Sequence, residues 1–405
     1  MINFDALAGA IDMLFSSATP WLVVVPGILI GLVFGAIPGL QISMAMAVFL
    51  PITLYLDFMQ AMLFLTAIFT GGSFGGSIPA ILMNIPGTSS AIATAFDGYP
   101  MSRKGEHNLA LGVALGASCI GVIIGYAILF LLINPISQLV LRVGPAEMAA
   151  VILWGITLIG SLSSGSVLKG MISGLAGLLI GTIGYSEAGV TRGTFGSPYL
   201  LDGVPVIPAM IGMFAASELF RLVRQDYLVE DSAARRVNIR LILAGFRRAI
   251  SKPWIVLRGS LIGVFVGSVP GVGSSVANLL SYMATRRGSS SPERFGTGNP
   301  AGVVASESAN STSEAGSMAT LLALGIPGGG ATAVMLAAFA MHNITGGPQF
   351  IREQTDVVYA IIIANFGQAF LLIGLGLLFI PLLANVVKVP MTYLVPTVLS
   401  MATFG

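Results

Sequence analysis

Residues 108–133 run without a charged side chain, and long, predominantly apolar stretches recur near 58–80, 146–163, 167–184, 205–222, 301–327 and 356–382. The chain ends inside another, 390–405. Roughly 20 apolar residues in a helix cross the hydrocarbon of a bilayer. Charged residues are only 9 % of the 405, far below the level of a soluble domain and too few to clothe a globular surface. A soluble enzyme, a nucleic-acid binder and a disordered scaffold are excluded. The expected fold class is an all-α polytopic membrane protein, because backbone exposed to lipid must satisfy its own hydrogen bonds. The single Cys119 lies in an apolar run, rules out an internal disulfide framework and reads as a small core residue.

Apolar helices alone do not need 51 glycines and 21 prolines. Two further runs, 18–56 and 254–280, are interrupted at their middles by Pro-Gly. The basic residues orient them. No Lys or Arg precedes Arg103, so the N-terminus lacks the basic region of a cleaved signal. The segment 221–258 carries Arg221, Arg224, Arg235, Arg236, Arg240, Arg247, Arg248, Lys252 and Arg258, and the positive-inside rule makes it cytoplasmic. Arg286, Arg287 and Arg294 follow 254–280, so that run has the same sign at both ends and reads as a re-entrant hairpin. The run 18–56, flanked by Asp12 and Asp57, reads as a hairpin entering from the opposite side. This map leaves only Arg142, Arg192 and Arg352 of the 19 basic residues outside.

The interrupted runs resemble each other. Residues 31–39 read GLVFGAIPG and 263–271 read GVFVGSVPG; 76–87 read GSIPAILMNIPG and 316–328 read GSMATLLALGIPG, one residue longer. The offsets are 232, then 240 and 241, so two elements recur in order. With opposed charge flanks, this is the pattern of an inverted-topology repeat whose discontinuous helices meet at a midplane site. A broken helix in hydrocarbon strands N–H and C=O groups, tolerable where an ion, substrate or water satisfies them. Its N-terminus favours anions and its C-terminus cations.

Polar residues gather at the same places. ASESANSTSEAGS (305–317) brings Glu307, Asn310, Ser311, Thr312, Ser313 and Glu314 to apparent membrane depth, where ionisable groups are costly and functional. Two helical turns separate Glu307 from Glu314, so a helix would place both on one face; the plainer alternative makes them caps at a helix mouth. In the first repeat Gly71, Gly72, Gly75 and Gly76 permit close backbone approach, and Ser73, Ser77, Asn84, Thr88, Ser89 and Ser90 offer polar groups. Asp97 reads as a loop or cap residue. Gln41, Ser43, Ser274, Ser275 and Asn278 follow the Pro-Gly tips and come within reach of a substrate there. His107 and His342 fall at helix ends, without the spacing of a zinc site.

GLVFGAIPGL, GGSFGGSIPAILMNIPGTSSAIATAFDGYPMSRKG, GSVPGVGSS, SESANSTSEAGSMATLLALGIPGG and MHNITGGPQF, in this order, resemble the large membrane subunit of tripartite tricarboxylate transporters, the TctA family. The block from Gly71 to Gly105 is the most specific. The resemblance implies a bacterial inner-membrane secondary transporter for a tricarboxylate or other organic carboxylate, driven by a Na⁺ or H⁺ gradient and using no other cofactor. It also implies two partners, a small four-helix membrane subunit and a periplasmic solute-binding protein that delivers substrate. No G-K-[ST] phosphate loop is present, in agreement with a carrier not driven by ATP. Where family members continue Asn-Asn-Ala, this chain has Asn310-Ser311-Thr312, which makes a difference in substrate or ion conceivable. Family members also extend past the position of Gly405, so a truncated or short form is expected.

On this reading Gly75, Gly76, Ser77, Asn84, Pro86, Gly87, Thr88 and Ser89, with Pro327, Gly328, Gly329 and Thr332, form the carboxylate site at two half-helix N-termini. Pro38, Gly39, Pro270, Gly271 and Ser274 at the Pro-Gly tips, with Glu307, Asn310, Ser311, Thr312 and Ser313, form the Na⁺ site; no transition metal is expected. The expected organisation is a first repeat (1–105), connecting scaffold helices (106–222), a basic cytoplasmic loop (223–253), a second repeat (254–350) and C-terminal helices (351–405). Alternating access then moves a broken-helix bundle against the scaffold. The alternative is a channel or a non-transporting assembly subunit. An intramembrane enzyme would need a Ser/His pair, GxGD, HExxH or an Asp-rich motif, and none occurs.

Overall fold

The computed structural model describes residues 3–38, 40–140, 167–185, 190–201 and 237–386, with a few isolated positions between them. Apart from positions 150, 153 and 209, the runs at 146–163, 205–222 and 390–405, with residue Gly39, lie outside the described residues. The chain is an all-α polytopic membrane protein. Among the described residues the only strands are a short hairpin, Gly184–Tyr185 with Thr191–Arg192.

The helices are α1 (Phe4–Phe15), α2 (Thr19–Ala36), α3 (Ile42–Phe49), α4 (Phe58–Gly75), α5 (Ser77–Met83), α6 (Ile92–Arg103), α7 (His107–Val140) and α8 (Val167–Gly181). They continue with α9 (Ile239–Ile250), α10 (Pro253–Gly267), α11 (Gly273–Arg287), α12 (Pro300–Leu324), α13 (Gly330–Met341), α14 (Pro348–Glu353) and α15 (Thr355–Val386). Among the described residues, α2, the rod Phe58–Met83, α7 and Thr355–Leu383 are long and apolar enough to cross a membrane. Helices α9 and α10 meet at a 76° bend and make a fifth span if counted together.

Both interrupted runs divide where Pro-Gly falls, between α2 and α3 and between α10 and α11. Glycines then dictate how each first arm packs. A Cβ on Gly27 would lie 2.8 Å from Phe64 O, on Gly31 2.2 Å from Ile68 O, and on Gly35 2.5 Å from Gly72 O. The second set repeats this: Gly259 is 3.1 Å from Ala305 O, Gly263 2.4 Å from Ala309 O and Gly267 2.4 Å from Ser313 O. Every equivalent pair keeps offsets of 232 on the first helix and 241 on the second. Small residues every fourth position let backbones touch, which is how helices associate where no hydrophobic force separates them from lipid. Residue numbers rise together on α2 and α4, and on α10 and α12. Each pair is therefore parallel, and the segment between must fold back as a hairpin.

One alignment detail is corrected. The match of Gly76-Ser77 to Gly316-Ser317 required an inserted residue, but Gly75 packs on Leu32 O as Gly316 packs on Val264 O. The 241 offset holds onward to the left-handed ends at Asn84 (φ 60) and Gly325 (φ 68), and no insertion exists. The run expected to cross at 301–327 is the continuous helix α12, but Ala301–Ala323 are all buried inside the protein. It is polar because protein, rather than lipid, surrounds it. Asp97 likewise is no loop residue. It sits buried on α6 and accepts the backbone N–H groups of Gly296, Gly298 and Asn299 at 2.9, 2.9 and 2.7 Å, latching the loop that starts α12.

The repeats interlock. Helix α13, after the second break, packs on α3 and α4, and α6, after the first, packs on α11 and α12. Thr70 of α4 bonds Glu314, whereas Ser73, further along α4, bonds the earlier Asn310. The repeat-equivalent helices α4 and α12 thus run antiparallel where they meet.

Candidate functional site

The two unwound segments are built alike. Asn84 leaves α5 in the left-handed conformation, Ile85-Pro86-Gly87 crosses the gap, and Thr88 precedes a 3-10 turn, Ser89–Ala91, that leads into α6. Gly87 N donates to Gly76 O at 3.0 Å, and the Thr88 and Ser90 hydroxyls are 2.9 Å apart. In the second repeat Gly325 leaves α12, Ile326-Pro327-Gly328 crosses, and Gly329 caps α13 with Thr332 Oγ1 accepting from Gly329 N at 3.0 Å. Gly87 presses against Gly76 and Gly328 against Ser317, where a Cβ would fall 2.9 and 2.8 Å from the facing Cα. Prolines remove donors that would otherwise be orphaned at these breaks.

Both half-helix N-termini converge on the start of α11. Gly271 N donates to Gly328 O at 3.0 Å. Further on, the Ser275 hydroxyl meets Ser89 at 2.9 Å, and Asn278 Nδ2 donates to Ser90 O. Gly271 and Ser275 are four residues apart, so the two meeting points lie within about 14 Å of each other. Asn84 and Ser89 are exposed and Pro86, Pro327, Gly329 and Ser274 partly so, whereas Gly75, Gly76, Ser77, Gly87, Thr88, Gly328 and Thr332 are buried. Pro38 is buried at the other hairpin tip, with Gln41 and Ser43 partly exposed beyond it.

A second polar centre lies along α12. Glu307 is fully buried, with Oε2 accepting from Ser118 at 2.9 Å, Oε1 from Thr94, and Ser77 beside it. Glu314, also fully buried, accepts at Oε1 from Thr70 at 2.9 Å and Tyr126 at 3.0 Å, while Oε2 has no partner. Asn310 donates to Ser73 O at 3.1 Å; its Oδ1 and the Ser311 hydroxyl have no partner. Gln368 of α15 donates to Thr66 Oγ1 at 3.0 Å and Leu63 O at 3.3 Å. Both glutamates are mid-helix and turned toward α7 and the first repeat, so the cap alternative is set aside. Unpaired oxygen acceptors in an enclosed centre are what a hard cation or a proton can satisfy.

The residues grouped as one cation site divide in two. Pro270, Gly271 and Ser274 join the tips through Gly328, which packs on Ser317. Ser317 lies ten residues along α12 from Glu307, about 15 Å of helix, so one ion cannot take ligands from both places. Thr312 and Ser313 donate to the carbonyls of Ser308 and Asn310 in their own helix. Thr312 also packs on Gly125 and Gly263, which gives it a packing role. Sequence reasoning missed Thr94, Ser118, Tyr126 and Gln368. Their only trace was single polar residues in apolar helices, as with Thr66 and Thr70 at i, i+4 and Gln368 in α15. His107 and His342 sit at helix ends, as expected.

The family model described as tripartite tricarboxylate transporter TctA family matches residues 21–405. An uncharacterised 52.8 kDa protein of Agrobacterium vitis, from the ttuC' 3' region of TAR-I, is 35 % identical over 380 residues, covering 94 % of this chain and 75 % of that protein. A second A. vitis protein, from the corresponding TAR-II region, is 35 % identical over 147 residues, 36 % of this chain and 59 % of its own length. No solved structure matches. With the match covering nearly the whole chain, the protein belongs to the tripartite tricarboxylate transporter TctA family and is a membrane subunit of such a transporter.

Proposed function

We propose that the chain is the carrier subunit of a bacterial inner-membrane importer, not an enzyme, and that its substrate is an organic tri- or dicarboxylate. Substrate would come from a periplasmic binding protein, with a small four-helix subunit alongside. The observation that carries this is the meeting of two half-helix N-termini at the start of α11. Each N-terminus carries unsatisfied N–H groups and about half a positive charge. Two of them, with Thr88, Ser89 and Ser275 hydroxyls, suit a carboxylate better than any single one. The reciprocal packing of α6 on α11 and α13 on α3 supports inverted repeats moving as one bundle, by elevator-like alternating access.

The coupling ion, Na⁺ or H⁺, is assigned to the α12 centre, where Asn310 Oδ1, Ser311 Oγ and Glu314 Oε2 stand unpartnered. Carboxylates there would supply charge to a cation or take up the proton themselves. Reconstitution with the partner proteins in liposomes tests both halves. Uptake is expected to saturate with substrate and to require an ion gradient, and Asn310→Ala should cut its Na⁺ dependence. Unsaturable flux would favour a channel, and unchanged Na⁺ dependence in the variant would remove the ion assignment.

A further inference from the structure

A cavity of about 820 Å³ opens where α6, α9, α10, α11 and the loop before α12 meet, away from both breaks. Lys104, Arg248, Lys252, Arg258 and Arg294 line it, and among the described residues no carboxylate does. Lys104 is engaged with Thr297 O at 2.7 Å. Arg258 Nε is buried without a hydrogen-bond partner, and so is the hydroxyl of Thr285, a cavity-wall residue only 3 % exposed. Both residues belong to the wall of one hollow whose charged side chains are all basic. An anion with several oxygens answers that charge.

The same wall carries a second, apolar hollow of about 480 Å³, on the α7 side of the α9–α10 elbow, with Ile120, Ile124 and Leu257 among its lining. Trp254 belongs to both cavities and is 79 % exposed. Tryptophan favours the membrane–water boundary, and basic clusters on the cytoplasmic side attract anionic headgroups. A free carboxylate or inorganic phosphate would use the basic hollow and leave the apolar one idle. A phosphate joined to acyl chains fills both.

We propose that this elbow binds an anionic glycerophospholipid, with its phosphate among Arg248, Arg258 and Arg294 and an acyl chain passing Trp254 into the apolar hollow. Because α10 carries the glycine ridge against α12, the lipid braces the hairpin that supports the ion centre.

The full chain, purified and delipidated in an uncharged detergent, is followed by thermal unfolding. Phosphatidylglycerol should raise the midpoint saturably, phosphatidylcholine with the same chains should raise it much less, and inorganic phosphate should not reproduce the rise. Arg258→Gln combined with Arg294→Gln should raise the half-saturating phosphatidylglycerol concentration by about fivefold per charge removed. Trp254→Ala should weaken the response to phosphatidylglycerol and leave any response to phosphate unchanged. If the double variant does not fold, Arg248→Gln at its exposed position gives the same reading. Equal stabilisation by the two lipids, full stabilisation by phosphate alone, or wild-type response in the variants would overturn the proposal.

Discussion

Helices α4–α5 and α12 are the same element twice, and they differ in what they carry. Both present a backbone to a glycine ridge at an offset of 241, and both end on a left-handed residue ahead of Ile-Pro-Gly. In that register Thr66 stands where Glu307 does, Phe69 where Asn310 does and Ser73 where Glu314 does. The backbone plan is therefore symmetric and the chemistry is not. Since the two helices meet antiparallel, the Thr70 hydroxyl of α4 donates to Glu314 of α12, while Glu307 takes its donors from Thr94 of α6 and Ser118 of α7. One composite polar centre results, where strict symmetry would have made two. Packing is set by the glycines, and function by the side chains placed on the face they leave open.

The largest effect should come from breaking the shared plan. Gly31→Val and Gly263→Val each drive a side chain into a backbone carbonyl, 2.2 Å from Ile68 O and 2.4 Å from Ala309 O at Cβ alone. Overpacking of this kind costs about 1–3 kcal/mol or more, and backbone cannot yield as a flexible side chain would. Both variants should lose most monodisperse protein on size-exclusion chromatography, by similar amounts. A large difference between them would deny that the ridges are equivalent.

The next effect separates the two helices. Glu314→Gln removes the carboxyl group to which Thr70 and Tyr126 donate, and with it the group that would hold a cation or carry a proton. Uptake should fall by roughly tenfold or more while the protein stays folded. Ser73→Ala, at the equivalent position, should leave uptake within about threefold, because only its carbonyl is engaged by Asn310. Asp97→Asn should lower thermal stability by about 1–3 kcal/mol, since three backbone donors and Tyr282 converge on its carboxylate. The smallest effect concerns the two left-handed ends. Asn84→Gly should stabilise slightly, by at most about 1 kcal/mol, whereas Gly325→Val should destabilise by more than that.

Much of this plan could be read in the sequence. Pro-Gly placement located the helix breaks near Pro38, Pro86, Pro270 and Pro327, since proline and glycine act locally and their effect does not depend on distant contacts. The one-residue slip at Gly76-Ser77 arose because identical letters were matched; the close packing of Gly75 on Leu32 is a tertiary fact. The α12 centre was half legible: Glu307 and Asn310 stood out, but Tyr126 and Gln368 come from helices far away in sequence. Asp97 reads as a loop or cap residue because FDGYP carries turn-forming types; it lies within α6, and its carboxylate caps the N–H groups of the loop before α12.

The central claim is that two half-helix N-termini meet at the start of α11 to hold a carboxylate. Its most direct test is ligand-induced stabilisation of the purified chain across a panel of di- and tricarboxylates, with and without Na⁺. A ligand at 100 times its Kd adds about 2.7 kcal/mol to the folded state. The account predicts that at least one carboxylate stabilises the wild type and that Ser275→Leu, which fills the meeting point, abolishes the effect. Undiminished stabilisation in that variant, or none by any carboxylate in a protein that still transports, would contradict it.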